Sequence, residues 1–530
     1  MAFWFRDVMH FPVPVTPLNA TFLQPAFSRG ASAAIARLSM PITALTVGVH
    51  HGHVFLCPSP FQGDAAAMQA RFGEMQRLTM ELGATVLADW YETFEPRVLA
   101  IADEVTGFDY DGAGTAAMAR FLYGLQEATV EVWDIHMRVN IPPMNAVFGF
   151  EEMIGQVLGA EAVAESRALM RGFDNKSLAL GHGLWEIAAW VRGQAGLAEV
   201  VMAAQVRGGR VVLPPHPVAG AFTARLAAFL EVYGWRSDVF GEYGHPSWRE
   251  DPSTPLTQIK GFLADEAAVS PYARQAEEQA ARQALEAAFE ARLPEPARPA
   301  FRVLLPLVQQ YVPVAEDHNF TIDQKFTVVT REAFPQLGRR LMAEGRIGDA
   351  EDIFYLTHDE IGAIAAETAP DSMHAVVAQR RAERVAQSRM QAPPFVGTPP
   401  PADAPMDPLA AKFFGFGVVP SGNPKVVTGH AASPGTATGI ARVVPSLDQA
   451  GRLRPGDILV CRMTMPAWTP LFSQVAAVVA DTGGALSHCA IVAREYGIPC
   501  VAGTMMGTSA IPDGARIHVD GNAGLVHILD

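Results

Sequence analysis

Ser487 and His488 lie in the segment DTGGALSHCAIVAREYGIPCVAG, residues 481 to 503. The preceding apolar run AAVVAD predicts a strand, and Gly483 and Gly484 allow the backbone a close, tight turn after it. Apolar spacing then predicts a helix from about Ser487 to near Gly497, with Ser487 as its N-cap and His488 in its first turn. Unpaired amides and the positive end of the helix dipole disfavour imidazolium there and favour an attached anion. A neutral imidazole so placed can attack phosphorus, and the phosphoryl group it gains faces those amides. The chemistry on offer is phosphoryl carriage, although a single histidine at a helix start is more often a cap or a packing residue.

A second polar group, Asp317, His318, Asn319 and Asp323, interrupts an apolar region in AEDHNFTID. On a helix His318 shares a face with Ile322, and Asn319 shares the next with Asp323. His318 there has the chemistry of a general base. Capping or cross-linking of helices explains the same residues equally well. His10, His50, His51, His53, Asp134, His136 and His245 are further polar candidates, and Trp133, Trp185, Trp235 and Trp248 are candidate pocket walls. Their context does not separate function from packing. Cys489 reads as a small packing residue, His518 and His527 as structural members of a hairpin, and no metal site is assigned.

The elements that must position these groups follow from composition and periodicity. A chain of 530 residues exceeds one hydrophobic core, and about three domains are expected at ~150 residues each. Helical spacing recurs in GDAAAMQARFGEMQRLTMEL, TAAMARFLYGLQEATVEVWDIHM, SPYARQAEEQAARQALEAAFEARL and DSMHAVVAQRRAERVAQSRM. Residues 1–390 therefore read as a mostly helical domain, with 1–60 a β-rich subregion of short strands and turns rather than long helices. Residues 391–424 begin with QAPPFVGTPPPADAPMDP, a Pro-rich linker in which neither helix nor sheet should continue. Residues 425–530 alternate short strands with short helices and close on the hairpin RIHVDGNAGLVHIL, with Asp520-Gly521 as its turn. The fold class is multidomain α+β.

Charge and cysteine content narrow the partners. The formal net charge is −15, and no basic stripe suited to nucleic acid is present. Four cysteines without a CxxC pair fit a reducing compartment. No apolar run reaches the ~18 residues of a membrane span, and the opening residues do not form a signal peptide, so a cytoplasmic protein is expected.

Thr482, Gly483, Gly484, Ser487, His488, Ala490, Arg494, Glu495, Gly497, Ile498, Pro499 and Gly503 match the phosphohistidine motif of the PEP-utilising enzymes, which include pyruvate phosphate dikinase and phosphoenolpyruvate synthase. Ser433-Pro434-Gly435, Thr438-Gly439, Pro455-Gly456-Asp457 and Trp468-Thr469-Pro470 also fall in place, so the resemblance covers about residues 425–530. It implies a small, swivelling β/β/α domain with His488 as phosphoryl carrier, supported by Thr482, Gly483, Gly484, Ser487 and Arg494. More weakly, FDNKSLALGHGLWEIA, FLEVYGWRS, HPSWREDP and EDHNFTIDQ resemble the acceptor regions of rifampin phosphotransferase and of the phenylphosphate synthase large subunit. That implies an organic hydroxyl acceptor, phenolic for preference, with His318 as base and Asp317, Asn319 and Asp323 around it. No P-loop or comparable nucleotide site is legible, so ATP and Mg²⁺ are expected on a separate ATP-grasp subunit, with ATP going to AMP and phosphate. A rifamycin-like antibiotic acceptor, or a non-catalytic regulatory protein with a vestigial histidine domain, are the alternatives.

Overall fold

The computed structural model describes residues 3–8, 10–239, 241–264, 270–390, 392–393, 395–398, 418, 421–485 and 487–529. It is multidomain α+β and forms two compact units. The first comprises Met1–Pro143, Val239–His245 and Thr321–Ala404, the second Met144–Asp238, Pro246–Phe320 and Pro405–Asp530.

In the first unit the strands Trp4–Arg6, Ile42–His50 and His53–Pro60 pair antiparallel, as the β-rich reading of 1–60 requires. That reading fails between them, where Pro17–Arg37 is a helix of 21 residues. Pro17 occupies its first turn, where a missing N–H costs nothing. The helix buries residues on several sides, Leu18, Phe22, Ala26, Phe27 and Ile35 among them, so no one-sided period marked it. The expected helices stand at Ala65–Asp89, where Asp64 accepts from Ala67 N at 2.8 Å, at Thr115–Leu158, whose residues from Met144 onward belong to the second unit, and at His374–Ser388. Phe22 meets Phe334 edge-on at 5.2 Å in the core.

The linker expectation falls largely on residues outside the described ones. Where 391–424 is described, it corrects the expectation that sheet cannot continue, because Phe395–Val396 pairs antiparallel with Trp4–Phe5. An edge strand of two residues asks for few backbone donors, which a proline-rich segment tolerates.

The second unit combines helices with an eight-stranded sheet. Lys176–Arg192 starts from Asn175, whose side chain accepts from Leu178 N at 2.9 Å, and Pro271–Arg292 is the third expected helix. Arg298–His318 buries Phe301, Leu305, Val308, Tyr311, Val312 and Ala315, which are joined by Phe150, Leu169, Phe289 and Ile491 in one cluster. Each Val, Leu, Ile or Phe side chain among them adds about 1.5–3 kcal/mol by burial. The sheet runs in the order Val426–Thr428, Leu525–Ile528, Arg516–Asp520, Thr436–Val443, Ile458–Cys461, Ala477–Ala480, Cys500–Ala502 and His430–Ser433. Its centre, Thr436–Val443 through Cys500–Ala502, is parallel, and ILVC and AVVA are buried throughout. Continuous apolar runs are what a strand covered on both faces needs.

The closing hairpin forms with His518 opposite His527, but its turn differs from the expected tight Asp520-Gly521 pair. Asp520 accepts from the amides of Asn522 and Ala523, and Gly524 takes the left-handed conformation with φ +70°. A Cβ on Gly524 would stand 2.5 Å from the Gly429 carbonyl oxygen.

Candidate active site

The second unit builds a site around His488 from the chain outward. Strand Ala477–Ala480 passes into Asp481, and Thr482 N and Oγ1 both donate to Arg462 O, at 3.0 and 3.2 Å. Gly483 then turns with φ +91°, a conformation that only glycine adopts without strain. The helix His488–Glu495 begins from Ser487 as expected. Its cap is not the expected side-chain cap: Ser487 N and Oγ both donate back to Gly484 O, at 3.1 and 2.8 Å. Ser487 thereby ties the glycine turn closed instead of satisfying a helix amide.

Arg494 is buried, and its Nη1 donates to Ala432 O at 2.9 Å and Ala485 O at 2.7 Å. It braces the loop ahead of His488 against the strand His430–Ser433. Cys489 Sγ sits 3.5 Å from Cys500 Sγ, and both are buried free thiols.

His488 keeps 15% of its side-chain surface exposed, enough for a small group to reach it. Its Nε2 lies 3.7 Å from Glu316 Oε2 and 3.5 Å from Thr469 Oγ1, the hydroxyl of the Trp468-Thr469-Pro470 turn. Burial, and then the positive charge of Arg236, depress the imidazole to about 3. The sequence expectation credited the helix terminus for the neutral ring; desolvation and Arg236 are the larger causes. Burial also pushes the Glu316 carboxyl up to about 7, against the pull of Ser177 and Arg236. The Glu316–His488 contact is therefore no ion pair: the imidazole is neutral, and the carboxyl exchanges its proton near neutrality. Ser177 Oγ donates to Glu316 Oε2 at 2.5 Å and fixes its orientation.

Glu316, Arg236 and Ser177 were not among the residues singled out from the sequence. All three lie within segments that carry the acceptor-region resemblance, so the signal was present, but a segment does not say which of its residues points inward. The helix Arg298–His318 continues as a π-helix over Asn319–Phe326, a widened turn often found at functional sites. The wider turn removes the simple four-residue pairing of His318 with Ile322 and Asn319 with Asp323. Asp317 Oδ1 accepts from Lys176 N at 2.7 Å, at the start of helix Lys176–Arg192. His318 is buried, with Nδ1 2.7 Å from Val314 O. Asn319 N donates to Glu316 O. Asp323 belongs to the first unit, where its carboxylate lies 3.3 Å from His136 Nε2. Of the remaining candidates, His10 pairs with Asp7 at 2.8 Å, His245 is held neutral by burial, and Trp248 is buried with Nε1 on Asp238 at 2.7 Å. Thr438 Oγ1 meets His518 Nδ1 at 2.8 Å, in keeping with a structural role in the hairpin.

Residues 453–524, which hold His488 and its turn, match the family described as PEP-utilising enzyme, mobile domain. This stretch is similar to a PEP-utilising mobile domain. Residues 136–316, which hold Ser177, Arg236 and Glu316, match the rifampicin phosphotransferase fourth domain. His488 and the residues facing it thus lie in two separately matched segments.

Whole-chain similarity agrees. Chondramide synthase cmdD of Chondromyces crocatus is 32% identical over 99% of this chain and 14% of its own length. The uncharacterized phosphotransferase YvkC of Bacillus subtilis (strain 168) is 26% identical over 99% of this chain and 62% of its own length. A Streptomyces rifampicin phosphotransferase is 29% identical over 79% of this chain and 47% of its own length. The chain thus spans less than two thirds of each of these relatives. Among the described residues no helix is long and apolar enough to cross a membrane.

Proposed function

We propose that this chain is the phosphohistidine-carrying part of a phosphotransferase, in which His488 Nε2 takes a phosphoryl group and passes it to an organic hydroxyl. The observation that carries the reading is the neutral His488 ring at a helix start, with Nε2 3.7 Å from the buried Glu316 carboxyl. A neutral imidazole has the lone pair that attack on phosphorus requires. In delivery the acceptor oxygen bonds to phosphorus, the P–N bond breaks with its electron pair returning to Nε2, and the hydroxyl proton passes to a base. Glu316 is placed to be that base; His318 is the alternative.

ATP with Mg²⁺ is the proposed donor, bound by an ATP-grasp partner that turns ATP into AMP and phosphate, and no residue of this chain is assigned to hold either. The acceptor is a phenolic compound in the first instance, because a group ionising near ~10 suits a base ionising near neutrality. The match of residues 136–316 to a rifampicin phosphotransferase domain supports a second reading, in which the hydroxyl belongs to a rifamycin-like antibiotic. The protein is proposed to work in the cytoplasm, with residues 425–530 swivelling between donor and acceptor stations. The test reconstitutes the chain with an ATP-grasp partner and offers phenols and a rifamycin in parallel. Phosphorylated product and AMP together support the reading, and no phosphoryl transfer to either class of acceptor would contradict it.

A further inference from the structure

Two cations converge on one aromatic ring in the second unit. The Arg236 guanidinium lies 5.0 Å from the centroid of Phe320, and the Lys176 ammonium lies 5.7 Å from the same centroid. Arg236 is fully buried, yet Nε, Nη1 and Nη2 all lack a hydrogen-bond partner among the described residues. A guanidinium stays charged and offers five N–H donors, so leaving every one unused in the interior is unfavourable unless a ligand takes them. Stacking over Phe320 holds the charge without consuming any donor.

Glu316 Oε2 accepts from Ser177 Oγ and Asp317 Oδ1 accepts from Lys176 N, and among the described residues neither carboxylate hydrogen-bonds the Arg236 guanidinium. Their charges are felt by Arg236 without a hydrogen bond to it, and the Arg236 charge is felt in turn by His488. The Arg236 backbone is also fixed, since its carbonyl accepts from Trp248 N at 2.7 Å and Ser237 bridges to Ser247.

We infer that Arg236, assisted by Lys176, forms a tetrahedral-oxyanion site that receives the oxygens of the phosphoryl group carried on His488 Nε2. The site rests on the function proposed above and deepens it: the vacant donors are matched to a dianionic phosphoryl group. Charge on those oxygens is balanced by the two cations while the P–N bond breaks and the acceptor O–P bond forms. Arginine suits this role because its planar fork donates to two oxygens at once.

The experiment titrates the full, unphosphorylated chain with orthovanadate as the oxyanion probe and reads binding by calorimetry. Wild type should bind; Arg236→Gln should weaken binding at least about tenfold, Lys176→Gln less, and Arg236→Lys should recover part of the loss. Equal affinity in wild type and Arg236→Gln, or no binding by wild type at millimolar vanadate, overturns the site. Thermal melts accompany each variant, and removal of an unmatched buried charge should not lower stability. If Arg236→Gln does not fold, the comparison of Arg236→Lys and Lys176→Gln with wild type decides. Phosphorylation of His488 is assayed separately, so a failed label with intact, Arg236-dependent vanadate binding would sink the proposed function and leave the anion site standing.

Discussion

His488 Nε2 faces Glu316 Oε2 across 3.7 Å, and neither group carries the charge that would make the contact a salt bridge at slightly acid pH. One side is a free lone pair and the other a carboxyl that ionises near neutrality, which is the pairing a nucleophilic carrier and a proton acceptor need. The residues come from segments about 170 positions apart, joined by the packing of one compact unit.

Replacing Glu316 by Gln should spare loading of His488 but slow delivery to the acceptor by roughly 10²- to 10⁴-fold, the usual contribution of a positioned base. His318→Ala, measured in the same chase of labelled enzyme with acceptor, separates the two candidate bases. A large loss for His318→Ala with normal delivery by Glu316→Gln would transfer the role to His318.

Delivery should rise with pH through about 7 as Glu316 loses its proton. The rising limb should vanish in Glu316→Gln; a pH profile identical to wild type would show that another group titrates.

The same shifts bear on stability, with opposite signs. The His488 pKa is lowered from 6.5, so the unfolded chain binds its proton more readily and stability is lost as pH falls from about 6.5 toward 3. The Glu316 pKa is raised from 4.5, so the folded chain binds its proton more readily and stability is lost as pH rises from about 4.5 to 7. Relative to wild type, His488→Gln should therefore gain stability at pH 4 to 5, and Glu316→Gln should gain it as pH approaches 7. Denaturant midpoints across that range check both, and parallel curves for the three proteins would contradict the burial argument.

Arg494→Met should destabilise the second unit by about 3 kcal/mol or more, because two buried carbonyls, Ala432 and Ala485, lose a charged donor. Urea titration measures it. A loss below about 1 kcal/mol would mean that the loop ahead of His488 is held by other contacts.

The strand, glycine turn and short helix that present His488 were legible because each has a local signature: an apolar run, adjacent glycines, and a serine before periodic apolar residues. The helix Pro17–Arg37 was not legible, since it is buried on several sides and carries no one-sided stripe. Glu316 carries no sequence signal that separates it from its acidic neighbour Asp317; its place 3.7 Å from His488 Nε2 comes from packing. Arg236 shows no pattern in sequence; its importance comes from burial without hydrogen bonds, which only packing reveals.

The most direct test is the fate of the donor phosphate. With the ATP-grasp partner, Mg²⁺ and ATP labelled in the phosphate that is transferred, the chain should gain an acid-labile label that maps to His488 and is absent from His488→Ala. Label retained in that variant, or found on another residue, would contradict the account.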